Sequence, residues 1–227
     1  MKIGILLTGH APSEVIETLG TYPEMFARLL GGHDFTFETF AVVDGHFPKS
    51  VDDADGWLIT GSKHGAYEDH AWIPPLEDFI RKTYADGRPM VGVCFGHQII
   101  AQAMGGEVVK WKDGWAVGHQ TYDFEGETLP LNAWHQDQVV KIPETATVIA
   151  SNDFCQNAAL LYGDRMLSVQ PHPEFTAPMV AALITHRGKG NLPDDLLVQA
   201  DANLDTPTAN QHMADKMAAF FLKGDSK

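Results

Sequence analysis

Two short stretches of this chain hold residue types that could do chemistry together. In Gly92-Val93-Cys94-Phe95-Gly96-His97-Gln98 a thiol has a glycine two residues away on each side. Such glycines let the backbone turn sharply and let neighbouring segments come close, the logic by which a G-x-Ser-x-G elbow presents its nucleophile. In Gln170-Pro171-His172-Pro173-Glu174 an imidazole and a carboxylate stand two apart, on one side of an extended chain. The flanking prolines hold that stretch away from helix. A cysteine nucleophile needs a base or imidazolium, and that group needs a partner to orient it. Cys94, His172 and Glu174 are therefore a candidate nucleophile, base and orienter. They lie far apart in sequence, so only the fold can bring them together.

The elements around these stretches read as alternating strands and helices. Arg88 to Val93 is a short apolar run with the character of a buried strand, and Ile99 to Met104 has the composition of a packed helix stopping at Gly105-Gly106. Cys94 would then sit at a helix N-terminus, where free amides and the macrodipole favour a thiolate. Upstream, Met1 to Thr8 predicts a first strand, and Thr21-Tyr22-Pro23-Glu24 has the form of a capping box. The helix it opens places Tyr22, Phe26, Leu29 and Leu30 at helical spacing and stops at Gly31-Gly32. Phe35 to Val42 and Trp57 to Thr60 are further strands, Gly61 to Gly65 a loop, and Pro74 to Ala85 a helix. Beyond Gly106 the texture turns β-rich, with runs at 108–111, 138–142 and 146–150. Ala158 to Tyr162 and Met166 to Gln170 predict a hairpin joined at Gly163-Asp164. The tail is helical again: Pro178 to His186, a short helix near Leu196, and Ala209 to Leu222 with Met213, Met217, Phe220 and Phe221 on an apolar face.

Composition bounds the reading. The chain has 227 residues, 44% of them hydrophobic, enough for a sizeable α/β core. Its 30 acidic against 16 basic residues give a formal charge of −14 and no basic stripe, which argues against nucleic acid and anionic membranes as partners. No run approaches a membrane span, the apolar start is too short for a signal peptide, and two cysteines are too few for a disulfide framework. A soluble, cytoplasmic protein is the expectation. No repeat or linker divides it, so one domain is predicted over 1–227, with a motif-bearing core of about 3–187 and a helical extension of about 188–227.

Taken together, the Cys94 and His172 stretches resemble the signature of class I (triad type) glutamine amidotransferases. Trp134-His135-Gln136-Asp137-Gln138-Val139 is similar to that family's H-x-D-x-V block, and Ile59-Thr60-Gly61-Ser62 lies where the family carries its oxyanion strand and loop. The resemblance runs from about Ile3 to Glu174. It implies a flavodoxin-like, mostly parallel sheet flanked by helices, with a small β-rich insertion after the nucleophile helix. It also implies cleavage of a γ-glutamyl amide bond through a thioester on Cys94, with His172 moving protons and Glu174 holding His172. The oxyanion would be received by the Phe95 amide and one from Gly61 or Ser62, worth about 2.7–4 kcal/mol per donor. Gln98 matches the family position that contacts substrate, and Trp134, His135 and Gln136 would line the same pocket.

Departures from the pattern bear on the substrate. Ser62 stands where the family usually has a second glycine, Gln136 where a glycine often follows the central histidine, and no synthase domain is attached. Two enzymes fit: a glutaminase delivering ammonia to a separate synthase subunit, and a stand-alone γ-glutamyl peptidase or hydrolase acting on small conjugates. A catalytically silent binding module is the reading of another class, and retention of Cys94, His172 and Glu174 argues against it. No cofactor is called for, since no phosphate-binding loop of G-x-x-x-x-G-K-[ST] type is present. No metal is assigned either: there is no H-x-x-E-H or C-x-x-C pattern, and His64 and His70 read as loop residues without ligand spacing. His97 reads as a structural, hydrogen-bonded residue, and Cys155 as an unactivated thiol that is either packed or exposed at the surface.

Overall fold

The computed structural model describes residues 1–224. In chain order the elements are β1 (Lys2–Leu6), α1 (Ser13–Leu19), α2 (Tyr22–Leu29), β2 (Thr36–Phe40), β3 (Gly56–Ile59), α3 (Ile73–Asp86), β4 (Met90–Val93) and α4 (Phe95–Ala103). There follow β5 (Glu107–Lys110), β6 (Ala116–Phe124), β7 (Glu127–His135), β8 (Asp137–Lys141), β9 (Thr147–Ala150), β10 (Ala159–Tyr162) and β11 (Met166–Val169). The chain closes with α5 (Ala177–Leu183), which runs on into a π-type turn at Ile184–Gly188, then α6 (Asp194–Ala202) and α7 (Asn210–Gly224).

Seven strands form the central sheet in the order β2-β1-β3-β4-β11-β10-β9. It is parallel from β2 to β11 and antiparallel at β10 and β9. The order fits the alternating strand and helix pattern, and the inner strands β3 and β4 are buried along their whole length, as continuous apolar strands of a parallel sheet should be. Alternate residues feed opposite faces. Ile3, Ile5, Leu58, Val91 and Val93 pack with Phe26 of α2 and Met213, Met217 and Phe221 of α7. Trp57, Ile59 and Met90 pack on the other face with Leu76 and Ile80 of α3 and Ile99 and Ile100 of α4. The apolar face predicted for the last helix thus covers the sheet. Among the described residues no helix is long and apolar enough to cross a membrane.

Local signals explain most boundaries. The capping box is present: Thr21 accepts from the Glu24 amide, and the Glu24 carboxylate accepts from the Thr21 amide at 2.7 Å. Along α2 and its C-cap Leu30, Phe26 and Leu30 are fully buried and Met25 joins them, while Tyr22 and Leu29 are half-buried. Strand β2 ends at Phe40, short of the expected Val42, because residues Val42–Asp44 make a single 3₁₀ turn closed at Gly45, whose φ is +83°. The β10–β11 hairpin forms as expected. Two elements are not announced by the sequence pattern: helix α1 and the β6–β7 ribbon, which pairs Ala116 with His135 through to Phe124 with Glu127. The turn of that ribbon puts both Glu125 (φ +52°) and Gly126 (φ +92°) in the left-handed region, the geometry that matches strand twist in a two-residue hairpin. Pro130 and the polar residues His119, Gln120 and Asn132 break the alternation that would have announced it.

Candidate active site

The carboxyl ends of β3, β4 and β11, neighbours in the parallel part of the sheet, deliver Gly61-Ser62, Cys94 and the 170–174 stretch to one crevice, the usual ligand position in an open α/β sheet. Cys94 is the hinge between β4 and α4. Its φ of +53° and ψ of −103° are strained for a side-chain-bearing residue, at a cost of about 1–3 kcal/mol. Hydrogen bonds fix it there: its amide donates to Val169 O at 2.9 Å, and its carbonyl accepts from the Gln98 amide at 3.0 Å. The two flanking glycines are required by contact. A Cβ on Gly92 would lie 2.5 Å from Gly96 O, and one on Gly96 would lie 2.4 Å from Ile59 O.

His172 stands against Cys94 with its ring locked on several sides. Its Nδ1 is 2.7 Å from Glu174 Oε1, its ring stacks on Phe175 at 3.9 Å and 4°, and its amide donates to Asn132 O on β7 at 2.8 Å. Asn132 in turn donates from Nδ2 to Phe175 O. The His172 and Glu174 side chains are only 5% and 1% exposed, so their pairing is set in a dry environment. Burial pulls the imidazole pKa down, but the negative charge of Glu174 and the charge and hydrogen bond of Cys94 outweigh it and push it up to about 10. The raised value favours the imidazolium over the neutral ring. Glu174 Oε2 is buried and finds no hydrogen-bond partner among the described residues, so Oε1 alone anchors the ring. A thiol, an imidazole and a carboxylate in this order have the connectivity that nucleophilic catalysis requires.

The Gly61-Ser62 loop is held from behind by two threonines, Thr60 from the loop's own motif and Thr8, which no sequence motif singles out. Thr8 Oγ1 donates to Thr60 O at 2.9 Å and to Gly61 O at 3.1 Å, and Thr60 Oγ1 also reaches Gly61 O at 3.1 Å. Peptide groups are planar and trans, so both carbonyls facing Thr8 turn the Gly61 and Ser62 N–H groups the other way. Ser62 spends its hydroxyl on the loop itself, donating to Thr8 O at 2.7 Å and accepting from the His64 amide at 3.1 Å. Opposite, Phe95 is the first residue of α4, and its N–H belongs to the helix turn that has no intrahelical acceptor. A threonine directly after an apolar strand, at both Thr8 and Thr60, was the available signal.

Cys94, His172, Gly61 and Ser62 open on a cavity of about 360 Å³. Gln98, Trp134, His135 and Gln136 also line it, whereas Phe95 and Glu174 lie behind its wall. Gln98 donates from Nε2 to Asp137 O at 3.0 Å and to Gln170 Oε1 at 3.1 Å, which leaves its own oxygen open as an acceptor among the described residues. Gln136 Nε2 is tied to Trp111 O at 3.0 Å. His135 is buried, its Nδ1 lies 3.2 Å from Asp137 O, and burial pulls its pKa down to about 3, so the ring is neutral. Three cationic side chains, Lys63, Lys110 and Arg187, join the wall of this otherwise acidic protein. Arg187 comes from the π-type turn after α5, a segment to which sequence reasoning gave no role.

The residues set aside as structural are placed accordingly. His97 is buried with Nδ1 2.8 Å from Ser168 Oγ, and burial lowers its pKa to about 3. Cys155 is buried, which raises its thiol pKa to about 12. His64 and His70, loop residues without ligand spacing in sequence, both lie beside Glu68 Oε2, at 3.3 Å and 2.7 Å.

The model of the glutamine amidotransferase class-I family matches residues 35–183, a span that includes every side chain of the site from Gly61 to Glu174. The chain belongs to that family. This class I amidotransferase relative is 31% identical over 224 residues to gamma-glutamyl peptidase 4 of Arabidopsis thaliana, covering 91% of this chain and 89% of that one. It is also 31% identical over 169 residues to one subunit of the glutamine-hydrolyzing GMP synthase of Archaeoglobus fulgidus, covering 70% of this chain and 87% of that one. Among solved structures, a glutamine amidotransferase from Methylobacillus flagellatus superposes with a TM-score of 0.78 at 23% identity, covering 99% of this chain and 94% of that one. The last likeness concerns the fold, and agrees with the mostly parallel sheet flanked by helices.

Proposed function

We propose that this chain is a γ-glutamyl hydrolase that cleaves γ-glutamyl amide bonds through Cys94, His172 and Glu174. The observation that carries the reading is the His172 ring, held by Glu174 and Phe175 beside Cys94, where both residues open on a cavity that the Gly61-Ser62 loop also lines. Cys94 Sγ attacks the γ-carbonyl carbon, and the carbonyl oxygen takes up negative charge against the Phe95 N–H and one from Gly61 or Ser62. His172, as the imidazolium, gives its proton to the departing nitrogen as the C–N bond breaks. The amine leaves and a γ-glutamyl thioester remains on Cys94. Water, deprotonated by His172, adds to the thioester carbon, and glutamate leaves as the C–S bond breaks. Lys63, Lys110 and Arg187 supply positive charge for substrate carboxylates, and the Gln98 oxygen offers an acceptor for an ammonium group.

Stand-alone action on γ-glutamyl conjugates is favoured by the near full-length similarity to a gamma-glutamyl peptidase and by a cavity that extends past Cys94 to Trp115, Trp134 and Tyr67. A second reading, glutamine hydrolysis feeding ammonia to a separate synthase, is supported by the similarity to part of a GMP synthase. The isolated protein should be assayed for glutamate and ammonia release from glutamine and for glutamate release from γ-glutamyl peptides and amines. Higher kcat/KM on conjugates supports the peptidase reading, and higher kcat/KM on glutamine supports the second. Cys94→Ala should abolish turnover of both while the fold persists; activity in that variant overturns the mechanism.

A further inference from the structure

The geometry points to a divalent transition-metal site at the cavity mouth, with His64, Glu68 and His70 as ligands. His64 and Glu68 line the cavity, and His70 follows on the same loop. His64 Nδ1 lies 3.3 Å and His70 Nε2 2.7 Å from the same oxygen, Glu68 Oε2, and all three ligand atoms fall within 4.8 Å of one another. Zinc bonds of 2.0–2.2 Å at tetrahedral angles need ligand edges of about 3.3–3.5 Å. The His64–Glu68 edge already has that length, the His70–Glu68 edge at 2.7 Å must open, and the third edge is no longer than 4.8 Å.

The backbone and packing hold these groups in place. The Glu68 amide donates to Gly65 O at 3.1 Å, the His70 amide to Glu68 O at 3.0 Å, and the Ile73 amide to His70 O at 3.0 Å. The His70 ring stacks on Trp72 at 5.9 Å and 10°, and the His64 ring meets the same indole at 5.9 Å. Trp72 is buried and packs against Phe95. Two imidazoles and one carboxylate suit zinc and its first-row neighbours, whereas magnesium and calcium want oxygen ligands. Three protein ligands leave a coordination position for solvent or for a substrate carboxylate, as in open zinc sites. A bound ion would tie together the two ends of the 64–70 loop, directly after the Gly61-Ser62 turn.

Because Cys94 and His172 could themselves hold zinc, binding is measured on the full chain carrying Cys94→Ala, by calorimetry with Zn²⁺ and by visible absorption with Co²⁺. The expected result is one equivalent of metal, a Co²⁺ spectrum without sulfur charge-transfer bands, and no comparable binding of Mg²⁺. His70→Ala, and separately Glu68→Gln, should each weaken Zn²⁺ binding beyond the roughly 10–100-fold typical of losing an outer-shell partner. Zn²⁺ should raise the Tm of the parent but not of these variants. Absence of a stoichiometric site in the Cys94→Ala protein overturns the proposal. So does undiminished affinity in whichever of the two variants keeps the parent's metal-free Tm. Neither outcome bears on the hydrolase reading, since turnover is not the readout.

Discussion

Replacing Gly61 by alanine places a methyl group where the site has no room for one. The new Cβ would stand 2.8 Å from His172 Cε1 and 3.7 Å from Cys94 Cβ. Carbon atoms rest at about 3.5–4.0 Å, so the first contact falls short by about 0.7–1.2 Å, while the second is ordinary. The imidazole cannot yield easily, since Phe175 stacks on it at 3.9 Å and Glu174 holds its Nδ1 at 2.7 Å. The Gly61 carbonyl is likewise pinned by Thr8 and Thr60. Overpacking of this kind costs about 1–3 kcal/mol, which for a chain of this size lowers Tm by about 2–4 °C per kcal/mol. Catalysis should suffer more than stability, because a displacement of about 1 Å in a reacting group costs on the order of 10²-fold in rate. The control is Gly32→Ala, where a Cβ would have nothing within 4 Å, with an expected change within about 0.5 kcal/mol. Thermal melts and kcat/KM on the best γ-glutamyl substrate give the comparison. A Gly61→Ala protein that matches wild type in both would refute the placement of this loop against His172.

Glu174→Gln removes the charge that does most to raise the His172 pKa, and kcat should fall by about 10²–10⁴-fold. In the wild type, a folded His172 pKa of about 10 against an ordinary 6.5 means that its contribution to stability is complete below about 6.5 and is lost as pH rises through about 10. Melts across that window should show a shallower pH dependence in Glu174→Gln, and an unchanged slope would contradict the assigned pairing. At the elbow, Cys94→Gly should melt above Cys94→Ala, because glycine relieves a φ of +53° worth about 1–3 kcal/mol, more than its own entropic cost of about 0.5–1 kcal/mol. The reverse order of Tm values would mean that the turn carries no strain.

Chemistry at this site was legible in the sequence wherever a local rule dictated it. The glycines around Cys94, the prolines around His172, the capping box at Thr21 and the apolar runs of β3, β4 and β11 each impose backbone geometry on their own few residues. Those rules placed Cys94 at an elbow and set His172 beside Glu174, while the resemblance to class I amidotransferases marked the Trp134 to Gln136 block as pocket wall. The tertiary structure decided what depends on contacts between distant segments. Only the order of parallel strands sets β3, β4 and β11 side by side, so that three loops share one crevice. Thr8 and Thr60 brace the Gly61 carbonyl across two strands, Arg187 reaches the cavity from the turn after α5, and β7 supports the His172 backbone through Asn132. Likewise His64 and His70 carry no ligand spacing along the chain, and only the fold of their loop turns both rings onto Glu68. Spacing rules report which residues share one face of one element; they are silent about side chains that converge from different elements or across an irregular loop.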